Sequence, residues 1–271
     1  MNITYRADSQ FVKQQLGMLS MNVSSLAYCN LDSTWRSVNA KAPFTRIYIP
    51  ISGQGLLTCG GETMDLLPGN IYVIPANAEL AFSCEEQLEK VFAHIIIPRA
   101  DRQDLFQGQN RCAVFSDERG FAKFFVEKCG SEQLADSLLL KGILYEIVAK
   151  AMDVLGMSAI VGMQYSPIVQ NAIAYIDTHL SAKLTAQQVA NGIFVSVHSL
   201  QKRFKQEVGI AMGKYISNRL VTSAAYTLYS TNLPVKQVSQ ELGFCDQFYF
   251  SRVFSAYYGM TPSRYRKRVR R

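Results

Sequence analysis

Between Phe44 and Phe82 apolar and polar residues alternate in short runs broken by glycine, whereas beyond Pro167 the apolar residues recur every third or fourth position. The first is the period of strands and the second that of helices, so a β-rich N-terminal part and an all-helical C-terminal part are expected. Strands are predicted at 45–51, 55–58, 64–66 and 71–75, around the turns Cys59-Gly60-Gly61-Glu62 and Pro68-Gly69-Asn70, with a further apolar run at 91–97. Such regular turns favour a small antiparallel barrel or sandwich over βαβ units. The pattern then becomes helical, briefly at 120–129 and at length over 133–155. On the long segment Leu134, Leu138, Ile143, Ile147 and Leu155, with Leu139, Leu144 and Val148 beside them, make a broad apolar face. A face that wide docks on the barrel or pairs with its copy in a second subunit, and both stay open. Gly156, Ser158, Gly162 and Ser166 mark the expected boundary, giving a two-domain α+β chain: 1–160 with its helical segment 120–155, a linker over 161–167, and 168–271.

The C-terminal part predicts seven helices, at 167–180, 185–191, 196–208, 212–229, 235–242, 246–258 and 262–268, with Thr185, Ser196 and Asp246 as N-caps. Laid on itself with an offset of 50, it repeats. Phe194 falls on Phe244, Ser196 on Asp246, Leu200 on Phe250, Phe204 on Phe254 and Gly209 on Gly259, each copy preceded by a short helix. Helix, tight turn, capped helix therefore occurs twice. A helical wheel gathers Val197, Leu200, Phe204 and Val208 as an anchor and leaves His198, Lys202 and Lys205 at the opposite pole, flanked by Gln201 and Gln206. In the second copy Asp246, Phe250, Val253 and Phe254 fall on or near the anchor side. Phe248, Arg252 and Ser255 turn outward there, with Tyr249 and Ser251 at the edges. A helix anchored on one face and polar on the other is what a DNA major groove admits. The segment 212–229 between the copies is a strut of about 27 Å, close to the spacing of about 34 Å between successive major-groove faces.

Charge sharpens this picture. Of 28 Lys+Arg and 21 Asp+Glu, residues 1–166 hold 14 and 17 while residues 167–271 hold 14 and 4, so the helical part carries an excess of ten positive charges. That is the footprint of a surface that sits on a polyanion, and the tail Arg264, Arg266, Lys267, Arg268, Arg270 and Arg271 is expected to add phosphate contacts. The start MNITYRADSQ lacks the layout of a signal peptide and no apolar run of membrane-spanning length occurs, so a cytoplasmic protein without membrane association is expected. Six cysteines without a C-x-x-C pair argue against a disulfide framework or zinc ribbon.

The residues Leu200-x3-Phe204-Lys205, Gly209, Arg219-Leu220, Pro234-Val235, Gly243-Phe244-x-Asp246-Gln247-Phe248-Tyr249-Phe250-Ser251-Arg252-Val253-Phe254 and Gly259-x-Thr261-Pro262 closely resemble the DNA-binding domain of the AraC/XylS transcription regulators, over about 168–267. Phe44-Thr45-Arg46-Ile47-Tyr48, Ser52-Gly53 and Leu67-Pro68-Gly69-x-Ile71-Tyr72 are similar to the family's cupin-like effector domain. The resemblance implies an N-terminal cupin-like antiparallel β-barrel with flanking helices and an all-α C-terminal domain with two helix-turn-helix units. It also implies promoter DNA as partner, a sugar, an aromatic acid or a similar metabolite as effector, activation through RNA polymerase, and no cofactor. It places His198, Gln201 and Lys202, then Gln247, Tyr249, Ser251 and Arg252, in the grooves. Arg252 is singled out because a guanidinium fork suits guanine. Phe248 either meets thymine methyls or covers a neighbouring helix, and Ser239 stands where alanine is usual.

The alternative is a cupin-type metalloenzyme with an accessory basic domain. It is poorly equipped, since His94 is the only histidine in the β-rich part and Cys59 and Cys84 would have to lie together. A protein that coats DNA without sequence choice is a third reading. An apolar barrel interior with Trp35, Phe44, Arg46, Tyr48, Tyr72 and Phe82 on alternating strand positions is instead the make-up of a small-molecule pocket, with Arg46 suited to an anion or a sugar hydroxyl.

Overall fold

Nine strands and nine helices occupy the residues that the computed structural model describes, 20–38, 40–99, 101–157 and 165–269. The first nineteen residues, most of the expected linker, and Arg270 and Arg271 lie outside them. The N-terminal half contains β1 (Asn22–Asp32), β2 (Arg36–Ser37), β3 (Thr45–Gly53), β4 (Gly55–Cys59), β5 (Glu62–Leu66), β6 (Asn70–Ile74), β7 (Leu80–Ser83), β8 (Gln87–Ile96) and β9 (Ala113–Ser116), followed by α1 (Phe121–Lys128) and α2 (Leu134–Val154). Among the described residues the strands do not close into one barrel. They form a five-stranded sheet, β1-β8-β3-β6-β9, and a four-stranded one, β2-β7-β4-β5.

The five-stranded sheet is covered on both faces, which is why β3 reads TRIYIPISG with six buried residues in a row rather than alternating. Ile47, Ile49, Val73, Val91, Ala93 and Ile95 point to one side and meet Phe121 and Phe125 of α1 and Leu144, Ile147 and Ala151 of α2. The intervening residues point toward the second sheet, where Tyr48, Tyr72, Ile74 and Leu88 pack on Leu57, Leu66 and Leu80. A bulge between Pro50 and Ser52 interrupts the β3–β8 ladder where proline lacks a donor. The β4–β5 hairpin turns on Gly60 and Gly61, both at positive φ (61° and 88°), as a two-residue loop matched to strand twist demands.

The broad face of α2 divides. Leu140, Leu144, Ile147 and Val148 are buried on the sheet, but Leu134 is 75%, Leu138 63% and Leu139 55% exposed.

The C-terminal half contains α3 (Pro167–Thr178), α4 (Ala186–Gly192), α5 (Val197–Val208), α6 (Met212–Ser230), α7 (Val235–Glu241), α8 (Gln247–Tyr258) and α9 (Pro262–Val269) around one core. All three expected caps form. Thr185 and Gln188 make a capping box, Ser196 Oγ accepts from Ser199 N at 3.3 Å, and Asp246 Oδ1 accepts from Tyr249 N at 2.7 Å. Asp246 is exposed, so it belongs to the helix end and not to the anchor side of α8.

The turns correct the alignment of the repeat. Val195 N bonds Ala190 O and Phe244 N bonds Ser239 O, so before the caps the two copies are offset by 49, and the second turn is one residue longer. The counterpart of Phe194 is therefore Gly243, not Phe244. Both take positive φ, 58° and 75°, which glycine adopts freely and a phenylalanine only under strain. Phe194 is also 94% exposed, so little packing offsets that strain. Phe194→Gly is expected to stabilise the protein by about 0.5–1 kcal/mol, the left-handed penalty less the added chain entropy. Denaturant unfolding checks this, and an unchanged or lower midpoint contradicts it.

Candidate DNA interface and ligand cavity

Each two-helix unit is braced by a third helix and by the strut. In the first unit α3 packs on α4 and α5; in the second, α9 packs on α8 and α6; and α6 touches both α5 and α8. The anchors are the aromatic residues the wheel selected. Phe204 meets Tyr215 of α6 edge-on at 5.2 Å, and Phe254 lies between Phe250, Tyr258 and Tyr265 at 4.8–5.8 Å. Anchoring one face leaves the other to solvent: His198, Gln201, Lys202 and Lys205 are all exposed on α5, and Arg203 and Gln206 join them.

On α8 Arg252 and Tyr249 are exposed, with the guanidinium 5.8 Å from the Tyr249 ring, while Gln247 and Ser251 are half-buried beside them. Phe248 is 78% exposed, so it does not cover a neighbouring helix. Ser239 is buried and returns its hydroxyl to Lys236 O at 3.0 Å, the change from alanine being accommodated locally.

The basic tail behaves differently from expectation. Arg264 and Lys267 are exposed, but Arg266 donates to the carbonyls of Leu228 and Leu233, and Arg268 reaches Ser37 Oγ at 2.5 Å. These two arginines tie the C-terminal helix inward rather than toward a phosphate.

Arg268 also lines a cavity of about 570 Å³ between the inner face of the five-stranded sheet, Trp35 and Phe82 on the opposite side, and the end of α6. Register explains the walls. Ser25, His94 and Arg46 are cross-strand partners on β1, β8 and β3, and Ala27, Phe92 and Tyr48 form the next row on the same face. Cys29 and Lys90 continue it. Tyr229, Ser230, Thr231 and Asn232 close the cavity from the helical half. There His94 Nδ1 and Tyr229 Oη are 2.8 Å apart, with Phe44 stacked on His94 at 4.4 Å and tilted against Tyr229 at 4.8 Å. Burial first, then Arg46 and Lys90, hold the imidazole well below its ordinary pKa, so it is neutral at pH 7.

Trp35, Phe44, Arg46, Tyr48 and Phe82 all line this cavity, and Tyr72 does not. Tyr72 shares the row of Tyr48 but spends its hydroxyl on Asp65 O and Leu67 N. Sequence reasoning missed Lys90, whose signal was a lysine at an inward position of an apolar strand. It also missed the wall from α6 and α9, which no local pattern announces.

A second joint crosses the halves. Tyr215 Oη donates to Asp101 O at 2.6 Å, and Asp177 takes Arg219 at 2.8 Å and Arg102 at 2.9 Å.

Cys59 and Cys84 are not partners. The Cys59 thiol donates to Asn110 O at 3.6 Å, and Cys84 Sγ faces Leu31 O at 4.0 Å. Among the described residues no three His, Cys, Asp or Glu side chains group as a metal site, and no helix is long and apolar enough to cross a membrane.

Residues 189–268 match the family model described as a helix-turn-helix domain. The regulatory protein SoxS of Escherichia coli is 36% identical over 107 residues, 40% of this chain and all of that protein. The Msm operon regulatory protein of Streptococcus mutans is 23% identical over 233 residues, 82% of this chain and 84% of its own length. Among solved structures, unsaturated fatty acid bound ToxT from Vibrio cholerae superposes with a TM-score of 0.55 at 12% identity, covering 89% of this chain and 94% of that one, which extends the shared fold across both halves. Two capped, aromatically anchored helices on one strut, with these relatives, place the chain in the AraC/XylS family of DNA-binding transcription regulators.

Proposed function

We propose that this chain is a promoter-specific regulator, an activator working through RNA polymerase in the cytoplasm, whose hold on DNA is set by a small molecule in the interdomain cavity. One observation carries the reading: α6 braces both outward-facing helices and ends, at Tyr229 and Ser230, in the wall of that cavity. A molecule seated against Trp35, Phe44, Arg46, Tyr48 and Phe82 touches the strut directly, so occupancy and the placing of α5 and α8 are coupled through one rigid element. The fatty acid bound to ToxT supports small-molecule occupancy in this fold. Two facing sheets around an apolar interior support reading 1–160 as an opened cupin-like barrel, joined through 161–167 to a DNA-binding part at 168–271. His198, Gln201, Lys202 and Lys205 then face one major groove, and Gln247, Phe248, Tyr249, Ser251 and Arg252 the next.

The experiment is competition on a duplex selected from random sequences. A specific regulator resists random competitor by about a thousandfold or more at physiological salt; equal competition shows a coating protein instead. The exposed Leu134, Leu138 and Leu139 support a homodimer through α2. Leu138→Lys with Leu139→Lys is expected to shift the sedimenting species from dimer to monomer, and a wild-type monomer at high concentration contradicts the pairing.

A further inference from the structure

Lys90 is a buried lysine without an anion. It faces the cavity from β8, across from Cys29 of β1, and is 2% exposed. Among the described residues no aspartate or glutamate lines the cavity, and no ion pair includes Lys90. Its Nζ lies 3.2 Å from the Tyr48 ring centroid and 4.0 Å from that of Trp35. Ring faces accept N–H groups but give the nitrogen lone pair no partner. Burying an ammonium without a counter-ion is costly, which favours the amine. Burial, reinforced by the Arg46 charge and only partly opposed by Cys29, holds the Lys90 ammonium well below its ordinary pKa. A lysine desolvated in an apolar pocket beside a second cation is a nucleophile in the making. Cys29 does not rival it: its thiol donates to Lys90 O at 3.6 Å, and burial raises its pKa, which keeps it protonated.

Arg46 supplies a matching donor. It is 5% exposed, lines the same cavity, and its Nη1 is buried with no hydrogen-bond partner. A donor left unmade in the interior is costly, and a carbonyl oxygen entering the cavity satisfies it. A guanidinium on that oxygen also polarises the carbonyl carbon toward attack. Resting on the reading of this cavity as the effector site, we infer that the effector is an aldehyde, which Lys90 captures as an imine while Arg46 holds the carbonyl oxygen. The Lys90 nitrogen bonds to the carbonyl carbon, and one amine proton passes to the oxygen to give a carbinolamine. The C–O bond then breaks, and the oxygen leaves as water with the second amine proton. No oxidant, reductant or further reactant enters. With no carboxylate beside it and Arg46 near, the imine stays unprotonated, the form that water hydrolyses slowly.

The full chain is incubated with benzaldehyde or decanal and sodium cyanoborohydride, which reduces imines in place, and the labelled lysine is located by peptide mass mapping. Benzyl alcohol and decanol are the controls. One adduct is expected, at Lys90, with the mass of the aldehyde less one oxygen. It should form about tenfold or more faster than adducts at the exposed Lys123 and Lys183, the gain for each unit by which an amine pKa falls toward neutrality. Trp35, the single tryptophan of the chain, should lose fluorescence in step with it. Lys90→Met should remove this adduct and leave the slow labelling of Lys123 and Lys183 unchanged. Arg46→Met should slow it about tenfold or more by taking the donor from the carbonyl oxygen. Mapping on the unaltered chain decides the matter even where a variant fails to fold. Labelling spread evenly over exposed lysines, an adduct on Cys29, or a Lys90 rate equal to that of Lys123 overturns the inference. DNA binding by the reduced adduct separates the two readings. An adduct at Lys90 with unaltered promoter binding removes the effector reading and leaves the capture site standing. A compound without a carbonyl that alters DNA binding, with Lys90 unlabelled by either aldehyde, leaves the effector reading standing and removes the capture.

Discussion

Phe254→Ala is expected to destabilise the C-terminal half by about 3–5 kcal/mol, the range for emptying a buried aromatic site. Phe254 is fully buried and touches Phe250, Tyr258 and Tyr265, so its loss opens a void where α8 and α9 meet. The side chain points away from DNA on this account, yet DNA binding should fail, because α8 loses the brace that presents Arg252. Far-UV circular dichroism during denaturant unfolding measures the cost. Phe248→Ala is the control: at 78% exposure it should move stability by no more than about 0.5 kcal/mol, while weakening binding if the ring meets thymine methyls. A Phe254→Ala protein of near-normal stability contradicts the packing argument.

The second large effect is on recognition. Arg252→Ala should lose about 1–3 kcal/mol at the selected site, roughly 5- to 150-fold, and tolerate substitution at the base it reads. The exposed guanidinium rests 5.8 Å from the Tyr249 ring, a contact that orients the fork without consuming its donors. Arg252→Lys should not rescue it, since an ammonium cannot make the bidentate contact to guanine. Gel-shift titration against the selected duplex and its single-base variants decides the matter. Equal weakening on every sequence reduces Arg252 to a phosphate contact.

The helical half was legible because its signals are local. Periodicity places a helix, a hydroxyl or carboxylate caps it, and a glycine ends it, so all seven segments appear within about two residues of expectation. The repeat was legible too, but its register across the turns was not. Composition does not distinguish a phenylalanine held at positive φ from the glycine, Gly243, at the same place in the second copy. In the N-terminal half, strands next to glycine turns stood out. β1 did not, since NVSSLAYCNLD lies at a sheet edge and its mostly half-exposed side chains carry no strict alternation. Tyr72 was placed on the right face, yet whether a hydroxyl faces a cavity or a backbone carbonyl depends on neighbouring strands. Arg266 and Arg268 read as a basic tail because charge is visible in sequence, whereas the carbonyls and Ser37 that hold them are brought near only by the fold. The cavity itself is a product of two halves meeting, which no local pattern contains.

The central claim is that one strut holds two groove-entering helices for successive turns of a single duplex. Selecting binding sites from random DNA, then inserting half a helical turn between any two conserved blocks, tests it most directly. The account predicts two blocks about 10–10.5 bp apart centre to centre, with the insertion abolishing specific binding and a full-turn insertion also weakening it because α6 is rigid. A single conserved block, or affinity indifferent to the half-turn insertion, contradicts it.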